Sequence, residues 1–142
     1  MKKPKIVIDT NVLVSALHSN LGMSYQLLMK LDSGLFDIAV SVPLVLEYED
    51  VTKRAGRVAI KLSKQQVSDV IDYICHIADK IKVYYLWRPY LKDPKDDMVL
   101  ELAISAQCTH IITFNKRDFV GAEKFGINIS TPKEFLKKLE VK

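Results

Sequence analysis

The sequence predicts an α/β fold, a three-layer α/β/α sandwich around a central parallel sheet of about five strands. Three observations point there. Short β-branched apolar runs alternate along the chain with longer segments whose apolar residues recur at helical spacing, as in βαβ units. The first run, Lys5-Ile6-Val7-Ile8, is apolar at consecutive positions, the pattern of a strand buried on both faces. The segment after Asp97 is apolar nearly all round, as expected of a helix lying deep in the protein.

The elements follow in order. The opening strand ends at Asp9, and Asp9-Thr10-Asn11 can start a helix through Val12 to Leu17. A helix from about Leu21 to Leu31 stops at Ser33-Gly34, and Phe36 to Val40 reads as a strand. Pro43 suits a first helical turn and opens a helix through Leu44, Val45, Tyr48 and Val51 that ends near Gly56. Ser63 and Gln66 form a capping-box signature, and the apolar spacing carries that helix as far as Ile81. Lys82 to Leu86 is the third expected strand. The polar stretch Lys92-Asp93-Pro94-Lys95-Asp96 reads as a turn, with Asp96 the expected cap of a helix from Asp97 to about Gln107. A strand at His110-Ile111-Ile112-Thr113, a short fifth strand around Ile127-Asn128-Ile129, and a helix from Pro132 to Leu139 complete the chain.

The bulk properties narrow the class. At 142 residues the expectation is one domain over residues 1–142, large enough for a core without disulfide or metal staples. With 49% hydrophobic and 27% charged residues, disorder, collagen and coiled coil are excluded. Lys and Arg number 21 against 17 Asp and Glu, a net charge of +4, which is compatible with a polyanionic partner without requiring one. Asp9 and Asn11 interrupt the apolar start, so it does not read as a signal peptide, and no run approaches the length of a membrane span. Cys75 and Cys108 have no C-x-x-C spacing and read as buried structural thiols in a reducing, cytoplasmic setting rather than as metal ligands.

Acidic residues carry the chemistry. Asp9 stands at the carboxyl end of the first strand, where a parallel sheet places its ligand crevice, although it could equally be a turn or capping aspartate. Glu47 has Leu44 and Val51 as helical neighbours, which puts its carboxylate on an apolar face; it either joins a site or pairs with Lys53 or Arg54. Asp97 and Glu101 share a helix face and would repel unless a cation lies between them or one is protonated; otherwise Asp97 belongs to the helix start and Glu101 is exposed. The fourth element is Thr113-Phe114-Asn115-Lys116-Arg117-Asp118-Phe119, again polar residues beyond a strand end. Oxygen ligands without Cys or His suit Mg²⁺ or Mn²⁺ rather than zinc.

These segments, Ile8-Asp9-Thr10-Asn11-Val12-Leu13, Glu47, Asp93-Pro94-Lys95-Asp96-Asp97 and Thr113 to Phe119, resemble in order and spacing the motifs of PIN-domain ribonucleases, especially the small prokaryotic proteins that include VapC-type toxins. The resemblance spans roughly Ile6 to Leu136. It implies cleavage of RNA with Mg²⁺ or Mn²⁺, an antitoxin protein as a partner, and a homodimer. Residue by residue, it places the three most regular acids on Asp9, Glu47 and Asp97 and the fourth on Asn115 or Asp118, with Asp118 the favoured cation ligand. Asn11, Thr113, Asn115 and Glu101 are the expected supporting residues. The alternative for Asp118 is to cap a short helix beginning near Phe119.

Arg54, Arg57, Lys116 and Arg117 are the expected contacts to RNA phosphates, Lys53, Lys61 and Lys64 extend that basic set, and Trp87, Tyr84, Tyr85 and Tyr90 could stack on bases. The competing function is a catalytically weak module that binds RNA or a partner protein. A phosphatase with Asp9 as nucleophile is disfavoured, because Asn11 stands where a second aspartate would be needed.

Overall fold

The structure is a computed structural model and describes residues 3–54, 62–83 and 91–140. Its sheet consists of β1 (Lys5–Ile8), β2 (Asp37–Val40), β3 (Asp79–Lys80), β4 (His110–Ile112) and β5 (Asn128–Ser130). All four pairings are parallel and the order is β3-β2-β1-β4-β5. The apolar runs explain the middle of the sheet: Ile6, Val7, Ala39, Ile111 and Ile112 are fully buried, so the central strands are covered on both faces.

The helices are α1 (Thr10–His18), α2 (Met23–Met29), α3 (Val42–Lys53), α4 (Lys64–Ile77), α5 (Pro94–Ser105) and α6 (Pro132–Glu140). Contacts link α1 to α2 and α3, α3 to α4, and α2 to α6, while α5 packs on β1, β2 and β4. Connections among the first three strands step one way across the sheet, whereas the return to β4 through α5 crosses β1 and β2. Right-handed crossovers then put α5 on the opposite face, which gives the three expected layers. Short 3₁₀ turns at Lys116–Phe119 and Ala122–Phe125 link β4 to β5. No helix among the described residues is long and apolar enough to cross a membrane.

The capping box forms as read: Ser63 accepts from the Gln66 backbone, and the Gln66 side chain accepts from the Ser63 N–H. Cys108 is buried and Cys75 half-buried. Four elements differ in their bounds from the sequence reading. The second helix is shorter at both ends, since Leu21 is exposed and Gly22 offers no side-chain cap. The capping-box helix stops at Ile77, because Ala78 turns extended and the chain pairs at once with β2, Ile81 N–H donating to the Val40 carbonyl at 2.8 Å. The third strand is therefore Asp79–Lys80 rather than Lys82 to Leu86; Lys82 and Val83 lie beyond it and residues 84–90 lie outside the described residues. Finally, α5 begins at Pro94, three residues before the expected start.

The turn from α5 into β4 is tight. Cys108 N–H donates to the Ala103 carbonyl at 2.8 Å and Gln107 N–H to that of Ile104 at 3.1 Å, a Schellman closure with Gln107 in the left-handed region at φ 58°. A side chain there costs about 1 kcal/mol. Gln107→Gly is expected to raise unfolding stability by about 0.5–1 kcal/mol, read by urea denaturation; a loss would mean that the side chain contributes more than the strain.

Candidate functional site

β1 and β4 are adjacent in the sheet, but their outgoing connections diverge to opposite sides. A parallel sheet opens a crevice at such a switch point, beyond the carboxyl ends of the two strands. Asp9 follows β1 and Thr113 follows β4. The Asp9 Oδ1 accepts from Thr10 N–H at 2.9 Å, capping α1, and its Oδ2 accepts from the fully buried Thr113 hydroxyl at 2.8 Å. Asp9 is thus both the helix cap and a lining residue of the crevice, a cleft of about 280 Å³. Asn115 N–H donates to the Thr113 oxygen at 3.0 Å, so one hydroxyl orients the carboxylate on one side and the following loop on the other.

The α3 helix brings Glu47. Ser41 caps it by accepting from Leu44 N–H at 3.3 Å, and Pro43 occupies its first turn. The next residue after Glu47, Tyr48, is fully buried and donates its hydroxyl to the Ile8 carbonyl. That bond ties α3 to the strand end bearing Asp9. The Glu47 side chain is 19% exposed, lines the cleft and is approached by the Thr10 hydroxyl at 3.5 Å and the Lys95 ammonium at 3.9 Å. Neither expected partner is its counter-ion: Lys53 stands 3.9 Å from Glu49 and Arg54 3.4 Å from Asp50.

At α5 the structure corrects the sequence reading. The cap is Asp93, which accepts from Lys95 N–H at 2.9 Å, and Pro94 takes the first helical position. The earlier start turns Asp96 into the cleft. Asp97, expected among the cation ligands, is turned inward instead, 2% exposed, with its carboxylate accepting from Leu91 N–H at 2.8 Å. Glu101 is buried with it rather than exposed, and lines a separate, largely apolar cleft beside Val42, Leu46 and Met98.

Asn11, Asn115 and Asp118 all line the acidic cleft. Asp118 lies within the 3₁₀ turn Lys116–Phe119, its N–H donating to the Asn115 carbonyl at 3.0 Å, while Phe119 is fully buried and anchors the turn. The short helix begins before Phe119 rather than at it, and its cap position, Asn115, forms no side-chain capping bond, so Asp118 is not a cap. Of the basic residues, Arg54 lines the cleft. Lys116 is engaged with Glu134 at 3.1 Å, and neither Lys116 nor Arg117 lines the cleft. Arg57, Lys61, Tyr84, Tyr85, Trp87 and Tyr90 lie outside the described residues.

The electrostatics reflect crowding. Burial raises the Asp9 pKa above its usual range; the bonds from Thr113 and Thr10 oppose this, and the charges of Glu47 and Asp118 add to it. Asp96 is pushed up to about 7, first by burial and then by Asp9, Asp118, Asp93 and Asp97. Every candidate ligand in the cleft is a carboxylate, hydroxyl or amide oxygen, a donor set that fits a small hard divalent cation. Among the described residues no three acidic, His or Cys side chains enclose an ion-sized site. Sequence reasoning missed Asp96, Lys95 and Thr10 as site residues. The signal for Asp96 was the Asp93-Pro94 pair, which reads as cap and first helical position and fixes the register.

Residues 5–117 match the sequence profile of the family described as the PIN domain. No curated protein sequence matches the chain. Among solved structures the fold is similar to VapBC2 from Rickettsia felis bound to a DNA fragment from their promoter, with TM-score 0.60 and 16% identity over 89% of this chain and 98% of that one. It is also similar to VapBC-1 from nontypeable Haemophilus influenzae, with TM-score 0.59 and 14% identity over 91% of this chain and 98% of the other. At such identities the likeness is one of fold.

The raised Asp96 pKa has a testable sign. Its contribution favours the folded state below the usual value of 3.8 and is lost as pH rises through about 7. His110 works the other way over part of the same window, because burial lowers its pKa to about 4. The informative quantity is therefore the difference in melting temperature between metal-free Asp96→Asn and wild type. It is expected to grow in favour of the variant from pH 4 to pH 7 and to vanish or reverse in saturating Mg²⁺; a difference independent of pH would contradict the crowding.

Proposed function

The chain belongs to the PIN-domain family, and on that premise we propose that it is a Mg²⁺- or Mn²⁺-dependent endoribonuclease with residues 1–142 acting as a single nuclease domain. The carrying observation is the cluster of Asp9, Glu47, Asp96 and Asp118 around one cleft at the sheet's switch point, with Asp9 and Asp96 both displaced toward protonation.

In this reading those four carboxylates hold the cation, with Asp96 in the place the sequence resemblance gave to Asp97. The cation, when bound, polarises a phosphoryl oxygen and acidifies a water. Thr113 and Thr10 orient Asp9 and Glu47, respectively, through their hydroxyls. Asn11 and Asn115 offer neutral amides at the mouth, able to hydrogen-bond a phosphate or ribose without adding charge. Arg54, at the end of α3, supplies a guanidinium for a flanking phosphate. Attack in line on phosphorus with the 3′ oxygen leaving yields 5′-phosphate and 3′-hydroxyl ends. By the same resemblance we propose a cytoplasmic toxin that is restrained by an antitoxin protein and forms a homodimer.

The test is to incubate an RNA pool with the protein in Mg²⁺, Mn²⁺ or EDTA and map the ends. Cleavage that survives EDTA, or 2′,3′-cyclic phosphate ends, overturns the mechanism. RNA binding without turnover would favour the catalytically weak module. Asp9→Asn and Asp96→Asn should each reduce cleavage by at least the roughly 10–100-fold that follows loss of a metal's outer-shell partner. Asp97→Asn should instead lower the melting temperature, because its buried carboxylate accepts the Leu91 N–H, and leave the Mg²⁺ dependence of cleavage in place.

A further inference from the structure

The acidic cleft contains one feature that the family reading does not assign. Lys95, at the second position of α5, reaches over the cleft and places its ammonium 3.9 Å from Glu47 Oε1. The separation is beyond hydrogen-bond length and the Lys95 side chain is 62% exposed, so this ion pair adds little to stability. Its position matters more than its strength. Five carboxylates line the cleft against two cations, Lys95 and Arg54, a formal excess of three negative charges. One divalent cation would still leave the cleft negative, and a phosphodiester entering it would be repelled unless a positive group were free to meet it. Arg54 already lies 3.4 Å from Asp50 at the far end of α3. Lys95 has a long flexible stem and its nearest carboxylate is one of the groups that would hold the ion.

We propose that Lys95 is an exchangeable counter-ion: it neutralises Glu47 while the cleft is empty, is displaced when a divalent cation takes Glu47, and then contacts a non-bridging oxygen of the bound RNA phosphate. This rests on the nuclease reading for its RNA step but not for its cation step. The exchange couples cation loading to substrate binding, since the ammonium is released toward the phosphate only once Glu47 is occupied. Lys95 is on this account a binding and positioning residue, without a proton-transfer duty.

The experiment compares wild type, Lys95→Gln and Lys95→Arg. In a Mn²⁺ titration followed by electron paramagnetic resonance without RNA, Lys95→Gln should bind Mn²⁺ roughly three- to tenfold tighter, because a competing positive charge near Glu47 is gone. In cleavage of a single-stranded RNA oligonucleotide at saturating Mn²⁺, the same variant should raise KM by about three- to tenfold, change kcat less, and lower the salt dependence of RNA binding by about 0.7 in log–log slope. Lys95→Arg should restore both properties part of the way. Equal or weaker Mn²⁺ binding by Lys95→Gln overturns the exchange, and an unchanged KM and salt slope overturn the phosphate contact. If wild type does not cut RNA, the nuclease reading fails by itself. The uncut oligonucleotide then reports the phosphate contact by fluorescence anisotropy, and the Mn²⁺ titration still decides the exchange.

Discussion

Both oxygens of Asp9 accept hydrogen bonds, one from the start of α1 and the other from the Thr113 hydroxyl across the switch point. That pair of bonds ties together the ends of β1 and β4, the two parallel strands between which the strand order reverses. Around it the fold has to hold several carboxylates against their repulsion, and the arrangement shows how. Tyr48 anchors the Glu47 helix to the Ile8 carbonyl, one residue before Asp9, using a hydroxyl that burial keeps neutral. Phe119, fully buried, anchors the turn that carries Asp118. The charged atoms meet at the rim, while apolar contacts and neutral hydrogen bonds placed behind them keep them there.

The start of α5 separates three aspartates within five residues by geometry alone. Asp93 spends its carboxylate on the helix cap, Asp96 faces the cleft, and Asp97 turns into the interior to hold the Leu91 backbone. Adjacent helical residues differ in direction by about 100°, so two identical side chains side by side meet entirely different surroundings. Asp97 is satisfied by the Leu91 N–H, whereas Asp96 is crowded by burial and by the neighbouring carboxylates, which raise its proton affinity to about 7.

Charge also frames the proposed RNA reading. The whole chain is basic at +4, yet the cleft is acidic, so the long-range attraction for a polyanion and the local repulsion at the site have to be reconciled close to the cleft. Lys95 and Arg54 are the cations placed to do so among the described residues, and each now faces a carboxylate.

Strand and helix alternation, the doubly buried first strand, the capping box at Ser63 and the gathering of Asp9, Glu47 and the Thr113-to-Asp118 loop are all legible in the sequence, because each depends on local periodicity or on the rule that polar residues follow strand ends in a parallel sheet. The length of α4 was not legible: Ala78 and Ile81 fit a helical face and an extended pairing with β2 equally well, and only the presence of β2 decides. Nor was the counter-ion of Glu47, since Lys95 is 48 residues away and the nearby Lys53 and Arg54 turn to their own helical neighbours. The choice between Asp96 and Asp97 lies between these cases. Local capping chemistry sets the register of α5, but which of its faces meets the cleft follows from α5 packing on β1, β2 and β4, a long-range constraint that no window of sequence contains.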